Sequence, residues 1–189
     1  MKTLKFIQFL FLFLFCSTLF GQNNPNSETK EIFKSFIKDK RQVFLNPSIN
    51  NYYFAELYKY ISENTFIRKI TFIEINKTII DTIIITKTER LYIDSCMNSF
   101  YSFKWTEIEK DKCGLERFSL IKNEDNKKLS DINYITYNLL KPIFIRQNSL
   151  CFLWYDYSCG SLCGHGELMI LKKQENKWVK WKTIFHSDS

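Results

Sequence analysis

Nine residues near the C-terminal end hold most of the side chains that could do chemistry: Cys159-Gly160-Ser161-Leu162-Cys163-Gly164-His165-Gly166-Glu167. Three of the chain's five glycines fall there, with two of its six cysteines, one of its two histidines and an acid. Glycine tolerates positive φ and close backbone approach, so this density marks a corner bent in a specific way. Three chemistries are open to it. Cys159 and Cys163 stand four positions apart across a glycine-containing turn, a spacing that lets their Cα atoms come within the ~7 Å that a disulfide requires. Cys159, Cys163 and His165, with Glu167 or Cys113, make a soft ligand set. Cys-x3-Cys-x-His is not a recurrent zinc spacing, however, and no second Cys/His pair follows, so no metal is expected. The third chemistry is acid–base work. If the segment folds as a hairpin, Asp156 on the incoming strand comes near His165 or Glu167 on the outgoing one. Alternation along that strand sets His165 and Glu167 on one side.

No nucleophile elbow, phosphate loop, HExxH or redox CxxC accompanies these residues. Asp156, His165 and Glu167 are therefore the candidates for a catalytic role, and the disulfide is the reading preferred for the two cysteines. A short loop of this kind contributes little closure entropy, so its use is to hold the shape of a turn.

The elements around the corner read as strands. Tyr134–Ile145, Ser149–Tyr157, Glu167–Lys173 and Trp178–Phe185 are separated by short spacers, which predicts an antiparallel meander. Val179, Trp181, Thr183 and Phe185 share one face of the last strand; Trp178, Lys180 and Lys182 share the other, which predicts one buried and one wetter side. Upstream, Ile32, Phe33, Phe36, Ile37, Val43 and Phe44 recur at helical spacing behind Ser27, and Asn46-Pro47 ends that helix. A second helix is expected from about Asn50 to Ser62. Lys69–Ile75 and Ile79–Ile85 form a hairpin around Asn76-Lys77-Thr78. Thr86 and Glu89 then form a capping box ahead of a helix over Lys87–Ser99, on which Cys96 reads as a small buried hydrophobe. Phe103–Ile108 and Leu115–Ile121 are expected as short strands around Lys110-Asp111-Lys112, and Asn123–Ser130 as a loop. The whole predicts an α+β domain, with N-terminal helices packed on a curved antiparallel sheet that ends in a C-terminal β-meander.

The stretch from Lys141-Pro142-Ile143-Phe144 through Tyr157-Ser158-Cys159-Gly160-Ser161-Leu162-Cys163-Gly164-His165-Gly166 to Leu171-Lys172-Lys173 and Asn176-Lys177-Trp178 is similar to the end of a group of small secreted proteins of Bacteroidetes-type bacteria. Thr86-Lys87-Thr88-Glu89-Arg90 resembles their helix start, and a leader ending in Phe-Gly before Gln is common among them. The resemblance covers roughly a quarter of the chain; it implies secretion and supplies no catalytic residue.

The beginning of the chain agrees. Lys2 and Lys5 precede the apolar stretch Phe6–Phe15, interrupted only at Gln8, and small or polar residues follow. This is the layout of a cleavable signal peptide over residues 1–21, cut after Gly21, with a single domain over 22–189. The apolar stretch is shorter than the ~20 residues of a membrane span, and no later segment is long and apolar enough. Cys16 invites a lipid anchor, but Phe15 stands where lipoprotein processing prefers a small residue, so none is expected. In an exported protein a disulfide persists. The five cysteines after the leader leave at least one without an intramolecular partner, and Cys113 is the alternative partner for either turn cysteine.

Composition excludes collagenous, low-complexity and wholly disordered classes: 45% of the 189 residues are apolar and 25% charged. After the leader, 25 basic against 20 acidic residues leave a charge of +5. Lys outnumbers Arg 22 to 5 and is scattered among acids, unlike the clustered Arg forks of a nucleic-acid site. No nucleic acid and no cofactor is therefore expected. Trp154, Tyr155, Tyr157, Trp178 and Trp181 exceed what one small core needs, which predicts an exposed aromatic binding surface. The function expected is that of a non-catalytic secreted or periplasmic module binding an envelope component. The alternatives are a small hydrolase-like enzyme centred on Asp156, His165 and Glu167, or a disulfide-stapled inhibitor.

Overall fold

The computed structural model describes residues 25–37, 42–48, 55, 58, 59, 61, 63, 66–73, 77–122, 134–160 and 163–188. Helix α1 spans Pro25–Phe36 and is followed by strand β1, Gln42–Leu45. The hairpin β2 (Phe66–Ile73) and β3 (Lys77–Ile84) comes next, then helices α2 (Lys87–Phe100) and α3 (Glu107–Lys112). The remaining strands are β4 (Phe118–Leu120), β5 (Tyr134–Leu139), β6 (Ile143–Ile145), β7 (Leu150–Ser158), β8 (Gly164–Gln174) and β9 (Lys177–Asp188). Seven of these strands form one sheet in the order β4-β1-β5-β7-β8-β9, with β6 also on β7; β2 and β3 form a separate two-stranded sheet. The α+β class and the C-terminal meander are as expected. The large sheet is mixed, because β1 runs parallel to both β4 and β5.

Several elements differ from the sequence reading, each for a physical reason. The first helix stops at Phe36, and Val43 and Phe44 belong to a strand. Val43, Phe44 and Leu45 are all buried. A strand covered on both faces reads as a continuous apolar run, which over so few residues cannot be told from one side of a helix. Ser27 lies inside the helix rather than capping it, and Pro25 takes the first turn, where a missing N–H costs nothing. The strand expected over Phe103–Ile108 is instead the approach to α3, whose cap is Thr106: its hydroxyl accepts from the Glu109 N–H at 3.2 Å. Tyr134–Ile145 breaks into β5 and β6, since Pro142 has no N–H to offer the ladder. Most of the helix expected near Asn50–Ser62 and the loop at Asn123–Ser130 lie outside the described residues; Ala55, Tyr58, Lys59, Ile61 and Glu63 are helical.

α2 forms as expected, and the hairpin forms with shifted bounds: Lys77 and Thr78, expected in its turn, are paired with Ile73 and Phe72 as the start of β3. β2 and β3 pair antiparallel, with Ile67 opposite Ile83. The capping box is complete: the Glu89 N–H donates to the Thr86 hydroxyl at 3.2 Å and the Thr86 N–H to the Glu89 carboxylate at 2.8 Å.

Alternation along β7 and β8 divides two cores. On the first face Cys151, Leu153, Met169 and Leu171 meet Ile32 and Phe33 of α1, together with Trp105, Leu115 and the strand residues Val43, Ile135 and Leu139. On the second face Leu150, Phe152, Trp154, Leu168 and Ile170 meet Ile67 and Ile83 of the hairpin and Ile93 and Met97 of α2. The sheet is therefore covered on both sides, and the wetter side expected of β9 is closed at Trp178. Its indole N–H donates to Glu28 of α1 at 2.8 Å, and the same carboxylate accepts from Lys173 at 2.6 Å. Asp81 performs the matching task on the other face, accepting from Lys172 at 2.7 Å and from the Trp181 indole.

Candidate functional site

The glycine-rich corner joins β7 to β8. Cys159 and Cys163 are disulfide-bonded with Cα atoms 5.0 Å apart, and the Cys159 N–H donates to the Cys163 carbonyl at 2.8 Å. Gly160 takes φ +98°, a left-handed conformation that a side chain would strain. Ser161 and Leu162 lie outside the described residues. The staple sets the start of β8, so that Tyr157 stands opposite His165, Asp156 opposite Gly166, and Tyr155 opposite Glu167.

That register separates the three acid–base candidates. Directly opposed residues share a face and neighbours along a strand do not. His165 and Glu167 therefore lie with Tyr155 and Tyr157 on the first face, while Asp156 lies behind them on the second. A Cβ on Gly166 would stand 3.3 Å from the Asp156 Cβ, which confirms the side. Asp156 accepts from the Asn138 amide at 2.5 Å, and Asn138 accepts in turn from Asn46 at 2.5 Å. Burial pushes the Asp156 carboxyl above its usual range, and the Asn138 bonds offset only part of that. The expected approach of Asp156 to His165 does not occur.

Asp188 takes that place. Its carboxylate stands 2.6 Å from His165 Nδ1. The bond to His165 holds the Asp188 carboxyl below its usual range. His165 Nε2 lies 3.9 Å from Glu167, and the ring sits beside Tyr155 and Tyr157 with centroids 6.1 and 5.9 Å away. Glu167 is 5% exposed. It accepts from the Tyr155 hydroxyl at 3.2 Å and the Thr183 hydroxyl at 2.5 Å, and is ion-paired with Lys180. Burial alone would raise its carboxyl; the Lys180 ammonium and the two hydroxyls outweigh that and hold it below the usual range. Tyr155 moves the other way, pushed up by its burial and by the Glu167 carboxylate.

The two-residue turn at Glu175-Asn176, both with positive φ, starts the β8–β9 ladder at Gln174 opposite Lys177. Unbroken pairing from there would set His165 opposite His186. Register shifts between Leu168 and Met169 and between Ile170 and Leu171 advance β9 by two residues, and Asp188 arrives instead. The only signal for this in the sequence was Asp188 itself, near the end of a strand expected to stop at Phe185.

Chemically the cluster is a closed network. Glu167 spends its oxygens on Lys180, Thr183 and Tyr155, and His165 spends one nitrogen on Asp188. The turn sulfurs are bonded to each other. Cys113 and Cys151 are free but buried, and burial raises both thiols. Cys96 is free and half-buried rather than fully so. Among the described residues no group of three or more His, Cys, Asp and Glu is placed to hold a metal ion. The aromatics expected at the surface are core residues: Trp154, Trp178 and Trp181 are buried and Tyr155 and Tyr157 are half-buried. Their number reflects two cores rather than one.

Open surface is found elsewhere. A groove of about 540 Å³ lies between β2 and β9, lined by Arg68, Lys69, Ile70, Lys180, Trp181, Lys182 and Thr183. A small cavity of about 10 Å³ lies under α2. Among the described residues no helix is long and apolar enough to cross a membrane. No protein-family profile, curated protein or solved structure matches this chain.

Proposed function

We propose that the protein is a secreted, non-catalytic module that binds an anionic component of the bacterial cell envelope. The observation that carries this reading is where charge is left over. Near the corner Glu167 is paired with Lys180, Asp188 with His165 and Asp156 with Asn138, whereas the β2–β9 groove gathers Arg68, Lys69 and Lys182 without an acidic partner among the described residues. A concave basic surface focuses field lines and raises the local concentration of an anionic partner. Export is supported by the leader at residues 1–21 and by the Cys159–Cys163 bond, which persists in an oxidising space. The test is co-sedimentation of the mature chain with isolated bacterial envelope over a salt series. Retention that falls as salt screens the charges is expected; retention indifferent to salt, or none, overturns the reading.

A second reading rests on the Asp188–His165 pair: a small hydrolase in which Asp188 orients His165 as a general base. Replacing His165 by Ala separates the two. Loss of a hydrolytic activity with folding intact supports the enzyme, and unchanged envelope retention supports the binding module.

A further inference from the structure

The groove contains a strand edge, and its pairing points to a ligand class; this step rests on the binding reading above. Among the described residues β2 pairs with β3 alone, and no strand lies on its other edge. The Lys182 ammonium donates to the Arg68 carbonyl, so that carbonyl points away from β3 and toward β9. In an antiparallel ladder a residue's N–H and C=O point to the same side, and the side alternates along the strand. The outward groups of β2 beside the groove are therefore those of Arg68 and Ile70. The opposing wall, β9, is a poorer template, because its register shifts distort the ladder beside the groove at Lys180–Thr183.

A chain added to the β2 edge would continue both faces of the hairpin. On the outer face Phe66, Ile70, Ile80 and Ile84 are exposed, between 44% and 59%. Phe66 opposes Ile84 and Ile70 opposes Ile80, two apolar pairs that flank the Arg68–Thr82 pair on the same face. On the inner face stand Lys69 and, across the groove, Lys182. Lys69 opposes Asp81 in register, but that carboxylate is taken by Lys172 and Trp181. Trp181 is itself buried, so it offers no platform for a sugar ring to stack on. We propose that the groove binds an extended acidic peptide segment of a partner protein by strand addition to β2. Its backbone pairs with Arg68 and Ile70 and takes the Arg68 carbonyl from Lys182, so that the released ammonium, with Lys69, faces its carboxylates, and its alternate apolar side chains pack beside Phe66 and Ile70.

The test uses the mature chain and a fluorescent peptide of about eight residues alternating glutamate and valine, read by anisotropy. Three comparisons accompany it: the same peptide N-methylated at alternate amides, polygalacturonate as competitor, and the K69Q/K182Q double variant. The expected result is saturable binding weakened at least about tenfold by N-methylation and by the double variant, with polygalacturonate competing poorly. I70S should weaken it as well; Ile70 is exposed, Lys69 and Lys182 are half-buried, and none of the three belongs to either core, so the variants leave the cores intact. Absence of binding, or binding indifferent to N-methylation, overturns strand addition. Equal competition by polygalacturonate means a general polyanion site and overturns the peptide assignment. If the parent chain binds no peptide while envelope retention persists in K69Q/K182Q, the groove assignment falls and the binding-module reading stands.

Discussion

Replacing Glu28 by Ala is the sharpest test of how α1 is fastened over the first core. Glu28 is 4% exposed and carries two charge-assisted bonds, from Trp178 at 2.8 Å and Lys173 at 2.6 Å. Bonds of this kind contribute about 1.5–3 kcal/mol each, and removing the acceptor also leaves an ammonium and an indole N–H poorly solvated. Breaking a buried pair from one side costs about 3–5 kcal/mol. The Lys173 side chain keeps 17% exposure, so water recovers part of this, and the expected loss is about 3 kcal/mol. For a domain of this size that lowers the thermal midpoint by roughly 6–12 °C. E28Q should fall between parent and E28A, since an amide oxygen still accepts from Trp178 but does not neutralise Lys173. Urea unfolding followed by tryptophan fluorescence gives the free energies, and the Trp178 indole proton in an NMR spectrum reports the bond directly. A loss below about 1 kcal/mol in E28A, or an unmoved indole resonance, would refute the view that this carboxylate ties α1 to the β8–β9 hairpin.

Other consequences follow from the same geometry. The Arg146 guanidinium, 2.7 Å away, and the Thr86 backbone hold the Glu89 carboxyl down at about 2 against an ordinary 4.5. A lowered folded-state value contributes stability above pH 4.5 that fades as pH falls toward 2. The parent should therefore lose about 1–3 kcal/mol more than E89Q between pH 6 and pH 2.5, read from urea midpoints. Opening the Cys159–Cys163 loop with a C159S/C163S double variant should cost about 2 kcal/mol, and mass spectrometry after alkylation without reductant should find neither sulfur labelled in the parent. D81A should release the hairpin from the second face, since it removes the acceptor of Lys172 and Trp181. Hydrogen exchange at β2 and β3 amides should speed up at least about tenfold while β7 and β8 stay protected; uniform protection throughout the hairpin would contradict this role.

Local chemistry along the chain was sufficient for several features. The capping box at Thr86 and Glu89, the hairpin ahead of it, the C-terminal meander and the pairing of Cys159 with Cys163 each depend on residues a few positions apart. Their energies are decided within a turn or a two-residue loop, so periodicity and turn chemistry reveal them. Features decided across the sheet were not legible. Val43–Leu45 becomes a strand only because β4 and β5 flank it. Trp154, Trp178 and Trp181 are interior because α1 closes one face and the hairpin with α2 closes the other, a layering no alternation along one strand can announce. At the candidate site, the placement of Asp156 and Asp188 turns on register: alternation puts Asp156 on the second face, and two shifts in β9 carry Asp188 to His165. A β-strand has a side-chain period of two, so such placements are properties of pairing between segments rather than of either segment alone.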